Sequence, residues 1–164
     1  MSLRIRAGRA EDGPALAAIY APFVRDTAVS FEEEVPGGDE MAARVAKATE
    51  AFPFLVAEGA SGDVLGYAYA GPYRTRRAYR YSAEVSVYLG PEARGRGVGR
   101  ALYEPLLSHL KAHGFRSAIA IIALPNAASV GFHEAFGFEP CGVLRDVGHK
   151  FGDWHDTGFW QKML

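Results

Sequence analysis

The chain has 164 residues, 49% of them hydrophobic and 23% charged, with a formal net charge of −1. That size and balance suit a single soluble domain over residues 1–164, and the near-zero charge removes any whole-molecule reason to expect nucleic acid or an anionic membrane as partner. The single cysteine, Cys141, rules out an internal disulfide and a Cys-rich zinc site, and it fits a reducing cytoplasm. It is expected to be a small buried apolar residue. The N-terminal stretch lacks the apolar segment of a secretory signal, and no run approaches the roughly 18–20 apolar residues of a membrane span.

Residues 3–7, LRIRA, alternate apolar and polar as a half-buried strand does. A helix follows, opening near Pro14 with Leu16, Ile19, Tyr20 and Phe23 at helical spacing, and Pro22 is expected to kink or end it. Residues 29–39 read as irregular, closed by Pro36-Gly37-Gly38; residues 39–52 read as an exposed amphipathic helix. Residues 52–58 and 64–73 form two strands around a GASGD hairpin loop, and 81–90 is the next strand. A helix from Val98 to His113 places Val98, Leu102, Leu106 and Leu110 on one face, with Pro105 inside it. SAIAIIAL at 117–124 has the continuous apolar character of a strand buried on both faces. Residues 126–138 begin with a capping asparagine and end at Gly137, and 140–164 make two closing strands with Gly152-Asp153 at the turn. The order β, α, α, β, β, β, α, β, α, β, β predicts an α/β (α+β) fold around a mixed sheet.

The chemistry concentrates at the strand-to-helix corner PEARGRGVGRALYEPLL, residues 91–107. There Gly95, Gly97 and Gly99 alternate with Arg94, Arg96, Val98 and Arg100. Glycine permits positive φ and close approach of a ligand to the backbone, and a helix start presents free N–H groups, so the corner suits a phosphate. A Walker A loop fails because Arg100-Ala101 stands where Lys-Ser/Thr should follow Gly99. A dinucleotide fingerprint fails because the sixth position is Arg100 or Leu102. An R-x-x-G-x-G reading fits Arg94, Gly97 and Gly99, beside the plain alternative of a flexible, solvated arginine loop.

That segment, with VSVYL before it and NAASVGFHEAFGF after it, resembles the acetyl-coenzyme A binding region of the GNAT superfamily of N-acetyltransferases. GYAYAGPYRTRRAYRYSAEVSVYL and GDWHDTGFWQ extend the resemblance, over essentially the whole chain, to the phosphinothricin and methionine sulfoximine acetyltransferase branch. The resemblance implies a central sheet with a splayed strand pair, acetyl-coenzyme A as co-substrate, no metal, a homodimer, and a small amino-acid-like amine as acceptor. It implies direct attack in a ternary complex, with Glu84 as general base and His133, where many relatives carry tyrosine, near the sulfur as acid. A free glutamate has a pKa of about 4.3, so the base needs burial or a water relay. The main chain of Val87 and Tyr88 is the expected partner of the pantetheine arm. Val85, Asn126 and Ser129 join the glycine–arginine corner as cofactor residues. Arg74, Arg76 and Arg77 precede the catalytic strand; Arg74 and Arg76 are candidates for binding an acceptor carboxylate. Thr27 and Phe31 fall where the family roofs the acceptor.

His109 and His113 at i, i+4 lack the glutamate of a zincin pattern and read as a solvated face. Three rival functions remain: acetylation of another amine such as a polyamine or protein N-terminus, a non-catalytic acyl-coenzyme A module, and nucleotide binding.

Overall fold

The computed structural model describes residues 2–164. Seven strands form one sheet: β1 (Arg4–Ala7), β2 (Phe54–Glu58), β3 (Val64–Pro72), β4 (Ser82–Leu89), β5 (Ser117–Leu124), β6 (Glu139–Lys150) and β7 (Asp153–Met163). Their order is β1-β2-β3-β4-β5-β7-β6, with β4 and β5 parallel and every other pairing antiparallel. Four helices complete the fold: α1 (Gly13–Arg25), α2 (Gly38–Thr49), α3 (Val98–Ala112) and α4 (Ala127–Ala135).

The expected periodicities bury what they should. Val98, Leu102, Leu106 and Leu110 of α3 are all sealed from solvent against Ala83, Val85, Ala118 and Ala120 on one sheet face. On the other face, Leu16, Tyr20 and Val24 of α1 and Met41 and Val45 of α2 meet Phe54, Val56 and Tyr67. The two helix layers cover opposite faces because strand side chains alternate.

Several expectations are corrected. Pro22 does not end α1, which runs on to Arg25, just as α3 runs on through Pro105 as expected. Each proline removes one N–H donor, but burial of the apolar stripe holds the helix together. The strand β5 is buried on one face only: Ala118, Ala120 and Ile122 are buried, whereas Ile121 is 38% exposed. No helix lies over that part of its other side. The closing hairpin turns at Phe151-Gly152, one residue earlier than expected, with φ of 56° and 80°. Two positive φ values match the twist of the flanking strands, so Phe151 accepts the left-handed region there. Cys141 is exposed rather than buried, because it sits on the outer edge strand.

Candidate active site

The site begins with a failure of pairing. β4 follows β3 as far as Leu89, but it pairs with β5 only at Ser82–Glu84. Beyond Ile119, β5 continues against β7 alone, so the two central strands open into a V. The phase of the V is set by bonds at both ends of the β3–β4 ladder: Gly90 N–H donates to Leu65 O at 2.9 Å and Tyr73 N–H to Ser82 O at 3.4 Å. Antiparallel bonding alternates, so Glu84, Ser86 and Tyr88 spend their main-chain groups on β3. Val85, Val87 and Leu89 turn theirs into the V. Val87 and Leu89 thus have main-chain groups free in the V, whereas the main-chain groups of Tyr88 are bonded to β3. Tyr88 contributes its ring, packed edge-on against Tyr20 and Phe23 at 4.9 and 5.2 Å.

A cleft of about 510 Å³ follows this open edge, from Val87 and Leu89 past Asn126 and Ser129 to Arg94 and Gly95. A narrower space of about 60 Å³ continues inward between Val85 and Ile121, with His133 in its wall. At the mouth, Gly95 and Gly97 have φ of 69° and 79°, the left-handed region that glycine enters without steric cost. Gly99 has a different duty: a Cβ there would press on the Phe132 ring at 3.0 Å, so it allows α3 and α4 to approach. The first helical bond of α3 runs from Ala101 N–H to Gly97 O at 3.0 Å, leaving the N–H groups of Val98, Gly99 and Arg100 without helical partners. Val98 itself is core. Among the arginines, only Arg94 lines the cleft, its guanidinium 5.4 Å from the Phe23 ring. Arg96 donates to Glu92 O at 3.1 Å, and Arg100 pairs with Glu104 at 2.7 Å along the exposed flank of α3.

Asn126 caps α4, accepting from Ser129 N–H at 3.1 Å, and faces both parts of the cleft. His133 is 4% exposed, so it is not a side chain of the helix surface. Its Nε2 lies 2.8 Å from the Tyr103 hydroxyl and its Nδ1 2.8 Å from Ser129 O. A carbonyl only accepts, so Nδ1 carries the proton and Nε2 accepts from Tyr103. Burial holds the imidazole pKa below its usual value, which favours the neutral ring. Tyr103, fully buried, was invisible in the sequence as anything but an aromatic in an apolar helix.

Glu84 lies on the face of β4 shared with Ser82 and Ser86, opposite Ile119 of β5. Ser86 and Ile121 belong to the inner cleft, whereas Ser82 and Ile119 belong to a second hollow of about 520 Å³ that also holds Tyr73, Tyr79 and Arg74. Along β4, Glu84 thus stands between the residues of the two spaces, in the lining of neither. Burial raises its pKa, and the positive charge of Arg74 opposes that rise. Arg76 is exposed and lines neither space. Thr27 lines the outer cleft, but its hydroxyl proton is spent on Phe23 O at 2.6 Å. Phe31 is 40% exposed and packs over Gly148 and His155.

A GNAT acetyltransferase domain model matches residues 5–159. The chain belongs to the GNAT acetyltransferase family. It is 48% identical over 162 residues to the phosphinothricin N-acetyltransferase of Alcaligenes faecalis, covering 98% of this chain and 82% of that one. The L-methionine sulfoximine/L-methionine sulfone acetyltransferase of Pseudomonas paraeruginosa is 40% identical, covering 100% of this chain and 96% of its own. The crystal structure of a phosphinothricin acetyltransferase from Sinorhizobium meliloti in complex with acetyl-coenzyme A superposes with a TM-score of 0.94 at 41% identity, over 100% of this chain and 89% of that one. As a GNAT acetyltransferase the chain is an acetyl-coenzyme A-dependent enzyme, and the V between β4 and β5 leaves a free strand edge inside its sheet.

Proposed function

We propose that this acetyltransferase moves the acetyl group of acetyl-coenzyme A to the primary amine of a small amino-acid-like acceptor of the phosphinothricin or methionine sulfoximine type. The observation that carries the reading is Glu84, placed between the open V and the hollow that holds Arg74. The pantetheine arm extends along β4, exchanging bonds with the main chain of Val87 and Leu89, with Val85 beneath the acyl end and Asn126 and Ser129 opposite. The pyrophosphate rests on Gly95, Gly97 and the free N–H groups of Val98, Gly99 and Arg100, with Arg94 alongside. Arg96 and Arg100 add charge from the rim.

The acceptor enters the Arg74 hollow, its carboxylate on the guanidinium and its amine toward Glu84. Glu84 takes the ammonium proton, directly or through water, and the freed amine attacks the thioester carbon. The C–S bond of the tetrahedral intermediate then breaks and the thiolate leaves, taking up the second proton of the attacking nitrogen directly or through water, which yields a neutral amide and the coenzyme A thiol. Val87 N–H or Leu89 N–H, aimed into the V, stabilises the oxyanion. His133 presents no free N–H. It serves as acid only by giving up its bond to Ser129 O, so its resting role is to hold the start of α4 against Tyr103. No step needs a metal.

The exposed row Val143, Leu144, Val147, Phe151 and Trp154 on the edge strand and closing hairpin supports a homodimer through that edge, in keeping with the hazard that such a strand poses when left bare. No described helix is long and apolar enough to cross a membrane, and the free thiol of Cys141 supports a cytoplasmic setting. An arginine rather than an acid in the hollow argues against polyamines. Free thiol release from acetyl-coenzyme A, followed across a panel of amino acids, sulfoximines, polyamines and peptide N-termini, tests the reading. Turnover is expected with sulfoximine or phosphinothricin-like amines. Tight coenzyme A binding with silence across the panel would leave a non-catalytic binding module instead.

A further inference from the structure

The segment between α1 and α2 has no regular structure, yet Thr27 and Val29 line the cleft over its acyl end. Among the groups that hold it is an ammonium from the far end of the chain. Lys150, the last residue of β6, is 2% exposed. Its Nζ donates to Val24 O at 2.7 Å, Thr27 O at 2.9 Å and Ser30 O at 2.7 Å. An ammonium has three protons, and all three are used. No carboxylate is within ion-pair distance of it among the described residues, so the charge is met by carbonyl dipoles, one of them from the last turn of α1 where a helix favours a cation. Charge-assisted bonds are strong enough to keep such a group buried.

A second contact joins the same two segments. The Phe31 ring covers Gly148, where any Cβ would collide with it, and leans on the His155 ring at 6.0 Å. His155 in turn lies 3.2 Å through Nε2 from Lys150 O, which fixes the residue that carries the ammonium. The segment 27–31 is therefore clamped to the β6–β7 hairpin at two points, one polar and one steric.

We propose that Lys150 is a positioning residue for acetyl transfer. With Gly148 it locks residues 27–31 over the acyl end of the cleft, and it thereby sets how an acceptor is held against the thioester. This rests on the acetyltransferase reading above, but the lock itself is a property of the fold. Lysine is required rather than a longer cation, because three carbonyls converge on one tetrahedral nitrogen, whereas a guanidinium is planar and forked. The pyrophosphate corner around Gly95 and Gly97 is not touched by the lock.

The test compares the full chain with Lys150→Met, Lys150→Arg and Gly148→Ala. Expected for Lys150→Met is a fall of tenfold or more in kcat/KM for the acceptor, mostly through KM, with coenzyme A affinity by calorimetry within about threefold. Lys150→Arg should recover little of the loss. Gly148→Ala keeps the charge and displaces Phe31, so it should move acceptor KM in the same direction even if Lys150→Met does not fold. Amide hydrogen exchange over residues 24–35 should quicken in each variant, and this readout stands even if no amine is acetylated by the wild type. Acceptor kinetics within twofold of wild type in the folded variants, or unchanged exchange over 24–35, would overturn the proposal.

Discussion

At the scale of single residues, the decisive groups are those whose surroundings change their chemistry. Glu84 is a weak base by nature, and burial strengthens it while Arg74 restrains it. Glu84→Gln is expected to lower turnover by about a hundredfold or more while leaving coenzyme A affinity nearly unchanged, which thiol-release kinetics and calorimetry measure separately. Arg74→Gln carries a sign. Removing the nearby positive charge lets the Glu84 pKa rise further, so the base is protonated to a higher pH. The acid limb of kcat, recorded at saturating acceptor, should shift toward higher pH, and the acceptor KM should rise. A limb that stays in place would remove Arg74 from contact with the base. Glu84 could be singled out before the structure only through the resemblance to the acetyltransferase branch. The tautomer of His133 could not, because it depends on Tyr103 and Ser129 O closing on both ring nitrogens.

At the scale of elements, the glycine corner separates into two mechanical tasks. Gly97 sits at φ 79° with open space where a Cβ would be, so a side chain there meets no protein atom. Gly97→Asp should cost about 1–2 kcal/mol at most in fold stability and weaken coenzyme A binding by about tenfold or more, about 1.4 kcal/mol, through repulsion of the pyrophosphate. Gly99→Val should instead lower the melting temperature, since its methyls strike Phe132 and push α4 from α3. If Gly97→Asp bound coenzyme A like the wild type, the corner would not be the anion site. The motif was readable from local spacing, but this division of labour was not, because Phe132 comes from a helix more than thirty positions away. The main-chain partners in the V show the same limit. The sequence pointed to Val87 and Tyr88 alike, whereas the bonding phase of the β3–β4 ladder leaves Val87 and Leu89 with free main-chain groups.

At the scale of the whole molecule, the sheet is covered unevenly. The helices α1 and α2 stand over β2 and β3, leaving Ile121 of β5 and the apolar edge of β6 bare on the same molecule. A second copy is the proposed cover. Sedimentation should find a species of twice the 17.7 kDa chain mass, and Val143→Glu with Val147→Glu should return it to a monomer, because two charges on an apolar contact are costly to desolvate. A monomer in the unaltered chain at micromolar concentration would refute the dimer.

The sequence alone determined the eleven principal elements, their order, the α3 stripe and the glycine corner. Each of these is written in residues near one another, through periodicity, capping and the freedom of glycine. Tertiary structure decided which groups face which: the phase of β4, the exposure of Cys141, the closed hydrogen bonds of His133, the placing of Glu84 between two hollows, and the grip of Lys150 on residues 24–30. These rest on contacts across as many as 126 positions. Side-chain burial and hydrogen-bond partners are properties of the packed chain, so no local pattern carries them.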